Sequence, residues 1–271
     1  MAANIFRLRV LAAAVLLWSG ATVAVPAQDF PGSTPGNPPL RLKGQVVTEG
    51  GAPITTARLK TDALRGPMGG QFEGQRVFTV RTGKNGEWAL LGPTRGLWLF
   101  EITAPEHLPH VVVVPIAWML PPEPIPWETH FSLLPRERVA PGGGESGSAA
   151  ARLVEVADLV QAGKGKDARE VLARIVEMPL DAAGLCAAGD LALLIREPAI
   201  ARRFFDLAAA ASPKWPRPQL GIASASMMLF DFDRAIKAYA SARSDSADKR
   251  FERMLSGAIR ELQQIRTIGK H

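Results

Sequence analysis

Residues 197–213 read EPAIARRFFDLAAAASP and carry a pattern that occurs three times in the second half of the chain. Ala201 is followed four positions later by Phe205, and three positions after that by a third apolar residue. These side chains share one face of a helix, with the alanine where a neighbouring helix crosses closely. Ala168 and Ala235 begin the other two copies, 33 residues before and 34 residues after Ala201. A period of this size is typical of an array of helical hairpins.

The repeated pattern resembles the tetratricopeptide repeat. Gly189, twelve residues before the lead alanine, stands where that family has the small residue of its first helix, and Pro213 closes the unit where the family favours proline. The first and third copies depart from this pattern, with Val156 and Ala223 in place of the glycine. The resemblance covers residues 149–248 and implies a protein-binding scaffold.

Residues 41–135 are predicted to form an all-β sandwich, because short runs of β-type residues alternate there with turn residues. The expected strands are Leu42–Val47, Ile54–Leu59, Arg76–Arg81, Trp88–Leu91, Leu97–Thr103, Val111–Pro115 and Thr129–Leu134. Side-chain alternation places five residues in the core: Trp88, Leu90, Trp98, Phe100 and Ile102. Asn85-Gly86 predicts a tight hairpin. The fold class is therefore α+β in two segregated domains.

The order of Gly44, Pro53-Ile54, Gly86 and Gly96 resembles the carboxypeptidase regulatory-like domain, a small transthyretin-like β-sandwich. The resemblance covers residues 41–116, and it departs from the family in a longer Gly-rich insertion at 61–75. In metallocarboxypeptidases this module is an appendage to the enzyme, and in many bacterial envelope proteins it is a non-catalytic spacer or binding module. The resemblance therefore does not imply peptidase activity.

The remaining segments are predicted from their composition. Residues 1–27 have a basic start, an apolar stretch and small residues before Gln28, which is typical of a signal peptide. Residues 28–40 are a Pro/Gly/Ser tether, 136–149 are a linker, and 150–271 hold the helical repeats with a capping helix. An uncleaved membrane anchor is the alternative for the first segment. The linker lets the two domains move independently unless an interface fixes them.

Candidate catalytic and metal-binding residues form no site in the sequence. His107 and His110 are an H-x-x-H pair, but prolines at 105 and 109 exclude a helix, and a spacing of three in an extended chain points the rings to opposite faces. Solvated loop histidines are expected. His130 and Ser132 are strand neighbours without a nucleophile turn. No catalytic residue, metal or cofactor is therefore predicted.

In helical-repeat arrays the first helix of each hairpin lines the concave surface. The partner-binding residues predicted there, called the concave groove below, are Leu153, Ala157, Gln161, Cys186, Asp190, Leu193, Arg217, Leu220, Ser224 and Met227. The groove is mostly apolar with two opposite charges and suits an amphipathic helix or an extended peptide. The alternative is that this face packs against the sandwich or a second copy of the chain. Cys186 is the only cysteine, and it is expected to be buried or paired between chains.

The expected function is that of a non-enzymatic adaptor, exported to a bacterial periplasm or envelope, that binds a protein or peptide. A net charge of +6 with singly placed charges in the repeats argues against nucleic-acid binding. No second stretch is apolar enough to span a membrane, and a homo-oligomer remains open. The alternative function is a carbohydrate- or cell-wall-binding module, which requires Trp98 and Trp127 on an exposed sheet face.

Export predicts that the mature chain begins at Gln28, because Val25-Pro26-Ala27 suits signal peptidase. N-terminal sequencing of the protein from its native envelope measures this directly. An intact start at Met1 or Ala2 in membrane fractions would establish the anchor instead.

Overall fold

The computed structural model describes residues 41–65, 77–93, 95–116, 127–139, 148–244 and 249–268 of the 271-residue chain. Within these ranges the strands are β1 (Arg41–Thr48), β2 (Arg58–Arg65), β3 (Val77–Arg81), β4 (Glu87–Leu91), β5 (Gly96–Thr103), β6 (His110–Ile116) and β7 (Trp127–Leu133). The helices are α1 (Arg136–Val139), α2 (Ala149–Gln161), α3 (Gly165–Ile175), α4 (Ala182–Leu194), α5 (Pro198–Ala211), α6 (Pro216–Met228), α7 (Phe232–Ser244) and α8 (Lys249–Ile268). This order confirms the predicted fold class. The signal, the tether and residues 140–147 of the linker lie outside the described residues.

The strands form two sheets packed face to face. One sheet has the order β4-β1-β7, with β1 and β7 parallel, and the other has the antiparallel order β3-β2-β5-β6. All five predicted core residues are buried between the sheets, as is Phe131 of β7. Phe131 stacks on Trp88 with ring centroids 5.8 Å apart. The alternation of apolar residues along β4 and β5 thus identified the sandwich core correctly.

Two local predictions in the sandwich are wrong. The second strand begins at Arg58 rather than Ile54 and continues to Arg65, into the segment that was assigned to the insertion. Ile54 instead lies in the preceding loop, where its N–H donates to Val46 O across 2.9 Å. Asn85-Gly86 does not join a hairpin, because β3 and β4 belong to different sheets and the turn crosses between them. Gly86 has φ +69°, and a Cβ there would lie 2.4 Å from Val46 O, so a side chain does not fit.

Strands β5 and β6 of the four-stranded sheet are buried on both faces for most of their length. Trp98 and Phe100 of β5 point into the sandwich, while Leu97 and Leu99 point to the other side. On this outer face the two leucines belong to the same apolar core as the helices, together with Val111 and Val113 of β6. The two domains are therefore joined by a continuous core, and the expected independent motion gives way to an interface.

The helices pair as three hairpins, α2/α3, α4/α5 and α6/α7, and α8 follows as the predicted capping helix. The three lead alanines, Ala168, Ala201 and Ala235, are fully buried at the helix crossings. Phe205 of α5 lies between two glycines, one on α4 and one on α6. A Cβ at Gly189 would come within 2.6 Å of the Phe205 ring, and a Cβ at Gly221 within 2.3 Å. The small residues therefore set the distance between successive hairpins.

We expect Gly221→Ala to lower the free energy of unfolding by about 1–3 kcal/mol, because the added methyl group overlaps a ring that cannot move away. Gly165→Ala is the matched control, since its Cβ would have only Ile195 Cγ2 nearby, at 3.9 Å. Urea unfolding followed by circular dichroism measures both variants. Equal stabilities for the two would show that Phe205 does not fix the spacing of the hairpins.

Candidate functional site

Strand β6 is the outer strand of its sheet, and it lies against α4, α6 and α8 on the concave side of the helical array. Val111 and Val113 are at most 1% exposed and pack into the helical core. The concave groove therefore contains a strand of the same chain. This is the alternative arrangement, with the concave face packed against the sandwich, and its cause is the second apolar face of β5 and β6.

The main chain of Val113 is held from both sides by helical side chains. Its N–H donates to Ser224 Oγ across 3.0 Å, and the same hydroxyl donates to Leu220 O across 2.9 Å. Its carbonyl accepts from the Tyr239 hydroxyl, also across 3.0 Å. Burial raises the pKa of Tyr239 well above its ordinary value, so the phenol keeps the proton that it donates. These two bonds satisfy groups that an outer strand would otherwise leave without partners.

Three charged or titratable side chains meet at the start of β6. His110 Nδ1 is 3.0 Å from Asp190 Oδ2, and Arg217 Nη2 donates to the same oxygen across 2.9 Å. Arg217 Nη1 also donates to the Ser132 carbonyl of β7, across 2.9 Å. Burial lowers the pKa of His110, and the nearby guanidinium lowers it further, while Asp190 opposes both effects. A neutral imidazole that donates its Nδ1 proton to the carboxylate fits this geometry.

Further contacts join the edges of the same interface. Arg95, before β5, binds Glu261 of α8 through two nitrogens, at 2.9 and 3.2 Å. Asp62 of β2 pairs with Arg196 in the turn after α4. The guanidinium of Arg65 lies 4.0 Å from the ring centroid of Phe230. Contacts of different chemistry at several points hold the sandwich in one orientation on the repeats.

The structure locates all ten residues predicted for the concave groove. Seven are buried: Leu153, Ala157, Cys186, Asp190, Leu193, Ser224 and Met227. Arg217 and Leu220 are partly buried, and Gln161 is exposed. Three of the ten, Asp190, Arg217 and Ser224, bind sandwich residues directly. Binding of a separate partner at these residues stays a prediction.

The structure also shows where the other residues considered in the sequence analysis lie. His110 is a partly buried interface residue rather than a solvated loop histidine, whereas His107 binds Pro105 O of its own loop at 2.6 Å. Cys186 is buried, as expected, and burial raises the pKa of its thiol to about 12. Trp98 is fully buried and cannot stack on a sugar. The side chains of Trp127 and His130 lie outside the described part of the structure.

Two interface residues were missed by the sequence interpretation, although the sequence contains a signal for each. Tyr239 occupies the position that the other repeats fill with Leu172 and Phe205, and a buried phenol requires a hydrogen-bond partner. Glu261 shares the apolar face of α8 with Ala258 and Ile265, and its side chain is 2% exposed. A carboxylate on a buried helix face requires a cationic partner from elsewhere in the chain.

Gln161 reaches an open cleft of about 600 Å³ between the end of α2 and the sandwich. Arg58, Arg81 and several threonines also line this cleft.

Among the described residues, no cluster of His, Cys, Asp and Glu has the composition of a metal site. Within the same ranges, none of the helices combines the length and apolarity needed to cross a bilayer.

Comparison with known proteins gives similarity for part of the chain. No protein-family profile and no curated protein sequence matches it. The structure is similar to PcrH from Pseudomonas aeruginosa (21% identity, TM-score 0.34, covering 44% of this chain and 91% of PcrH). It is also similar to a T3SS complex from Aeromonas hydrophila (15% identity, TM-score 0.36, covering 45% of this chain and 83% of that one). A third similar structure is the Yersinia enterocolitica type III secretion chaperone SycD with a peptide of the translocator YopD (18% identity, TM-score 0.33, covering 44% of this chain and 90% of SycD). At these levels the likeness assigns neither a family nor a ligand to this chain.

We expect Tyr239→Phe to lower the free energy of unfolding by about 1–3 kcal/mol, because the buried Val113 carbonyl loses its donor while the packing of the ring is kept. In a Trp215→Phe background, which removes the tryptophan of the helical repeats, the loss should appear in the tryptophan signal of the sandwich as well as in the helical circular dichroism signal. Ser241→Ala, on the same helix, is the control. A Tyr239→Phe loss confined to the helical signal would show that the two domains unfold separately.

Proposed function

We propose that the chain is a non-enzymatic adaptor that binds a protein or peptide partner through the concave groove of its helical repeats. The observation that carries this proposal is that the groove already holds an extended strand by its main chain. Ser224 and Tyr239 bind the N–H and the C=O of one residue, Val113. Main-chain hydrogen bonds supply affinity, and pockets for alternate side chains supply selectivity, in the recognition of extended peptides.

In this proposal β6 occupies the groove until a partner takes its place. The fitting partner is an extended segment with small branched apolar residues at alternate positions, since Val111 and Val113 fill the groove now. The groove becomes accessible when the sandwich moves aside, because Asp190, Arg217 and Ser224 of the groove bind sandwich residues directly. In this proposal the sandwich, which resembles a carboxypeptidase regulatory-like module, serves as the cover of the groove.

The proposed location is a bacterial periplasm or envelope, reached through the signal at residues 1–27. The composition of that segment supports export. The resemblance of the sandwich to modules of envelope proteins supports the same location.

A matched pair of leucine variants tests the groove. Leu220→Asp places a charge in the groove, where the side chain is partly buried, and we expect it to abolish capture of partners from an envelope extract. Leu207→Asp makes the same chemical change on α5, outside the predicted groove, where the side chain is 45% exposed, and should leave capture unchanged. Mass spectrometry of the captured proteins measures the difference.

The double variant Ser224→Ala and Tyr239→Phe extends this test in the opposite direction. It removes both main-chain contacts to Val113, so the sandwich should release the groove more readily and capture should increase. Melting curves and light scattering confirm that each variant is folded and unchanged in oligomeric state. Capture that is lost in Leu207→Asp but kept in Leu220→Asp would overturn the groove as the binding surface.

A further inference from the structure

The cluster of His110, Asp190 and Arg217 lies where the sandwich meets two different hairpins. His110 belongs to β6, Asp190 to α4 and Arg217 to α6. The side chains of His110 and Arg217 are each 13% exposed, and that of Asp190 is 2% exposed. Breaking this cluster therefore accompanies any movement of β6 out of the groove.

The charges of this cluster balance only while the imidazole is neutral. One carboxylate faces one guanidinium, and Arg217 Nη2 is also 3.3 Å from His110 Nδ1. Among the described side chains of β7, the groups near this cluster are uncharged: the ring of Phe131, 5.9 Å from the imidazole, and the Ser132 carbonyl bound by Arg217. A second cation would have to share one carboxylate with the first, in a site where most of each side chain is buried.

We propose that His110, Asp190 and Arg217 form a pH-sensitive latch, which holds β6 in the concave groove while His110 is neutral and releases the sandwich when His110 is protonated. This inference rests on the proposed function, since release of the sandwich would open the groove to a partner. The release itself is a property of the unliganded chain.

The direction of the effect follows from the surroundings of the imidazole. Burial holds the pKa of His110 below its ordinary value in the docked state, whereas a solvated His110 titrates near pH 6.5. The undocked state therefore binds the proton first as the pH falls. Docking is strongest above about pH 6.5, and it weakens about tenfold for each pH unit between the undocked and the docked pKa.

Cys186 provides a single reporter of this opening. It is the only cysteine of the chain, it is buried, and it lies one helical turn before Asp190 on the same face of α4. Burial chiefly raises the pKa of this thiol, and Glu49 of the sandwich contributes in the same direction. Movement of the sandwich away from α4 should therefore expose Cys186 to a small thiol reagent.

The experiment measures the reaction of Cys186 in the full-length protein with 4,4′-dithiodipyridine, which reacts in mildly acidic as well as neutral solution. At each pH between 7.5 and 5.0 the rate is divided by the rate of the urea-unfolded chain, which removes the pH dependence of the thiol itself. Circular dichroism at every pH establishes that the helices remain folded. We expect the relative rate of the native protein to rise severalfold from pH 7.5 to 5.0, with the steepest change below about pH 6.5.

His110→Asn is the matched control, because an amide NH₂ can donate to Asp190 where Nδ1 does and cannot take up a proton. Its relative rate should stay constant over the same pH range. A second variant, Lys60→Gln, changes an exposed charge of the sandwich that pairs with Glu101 instead, and should keep the response of the native protein. A flat native profile, or the same rise in His110→Asn, would overturn the latch.

The outcomes separate the latch from the proposed function. Loss of partner capture in Leu220→Asp together with a flat thiol profile would keep the adaptor and reject the latch. A pH-dependent thiol profile without groove-dependent capture would keep the latch and reject the adaptor. Neither measurement needs the partner to be identified.

Discussion

The two hydrogen bonds to the main chain of Val113 are the constraint on which the relation between the domains depends. An outer strand has N–H and C=O groups that point away from its sheet, and burying them without partners is costly. Ser224 and Tyr239 come from the two helices of one hairpin and satisfy both groups of a single residue. Because these bonds are directional, they fix the position of β6 along the groove, which the apolar contacts of Val111 and Val113 alone would leave free to slide.

The charged contacts around the Val113 hydrogen bonds contribute to the interface in a different way from those bonds. Buried ion pairs lose hydration that their mutual attraction offsets only in part, so they contribute more to specificity than to stability. Asp190 accepts from one residue of α6 and faces one residue of β6, and it thereby defines which strand end meets which hairpin. Glu261 defines the position of α8 in the same way, because it accepts from two nitrogens of Arg95. The apolar faces supply the driving force, and these carboxylates select one orientation.

The sequence was sufficient for the local architecture and insufficient for the interface. The spacing of Ala168, Ala201 and Ala235 depends on contacts between neighbouring helices, so it can be read from a single stretch of chain. The core of the sandwich followed from the alternation in β4 and β5 for the same reason. The second apolar face, with Leu97 and Leu99, indicates that something covers the sheet. It does not indicate what, because the covering helices lie far along the chain. The ten predicted groove residues lie on α2, α4 and α6, the first helices of the three hairpins, and the sequence analysis did not identify the strand that packs against them.

The two apolar faces of β5 and β6 also have a consequence during synthesis of the chain. The sandwich precedes the repeats in the chain, so β5 and β6 leave the ribosome before any helix that covers Leu99 or Val113 exists. Until α6 and α7 have been synthesised, an apolar sheet face and an unpaired strand edge are open to other chains. For a protein with this topology, the risk of aggregation is greatest during synthesis rather than in the finished fold. Any factor that escorts the nascent chain would need to cover the surface that the helices later occupy.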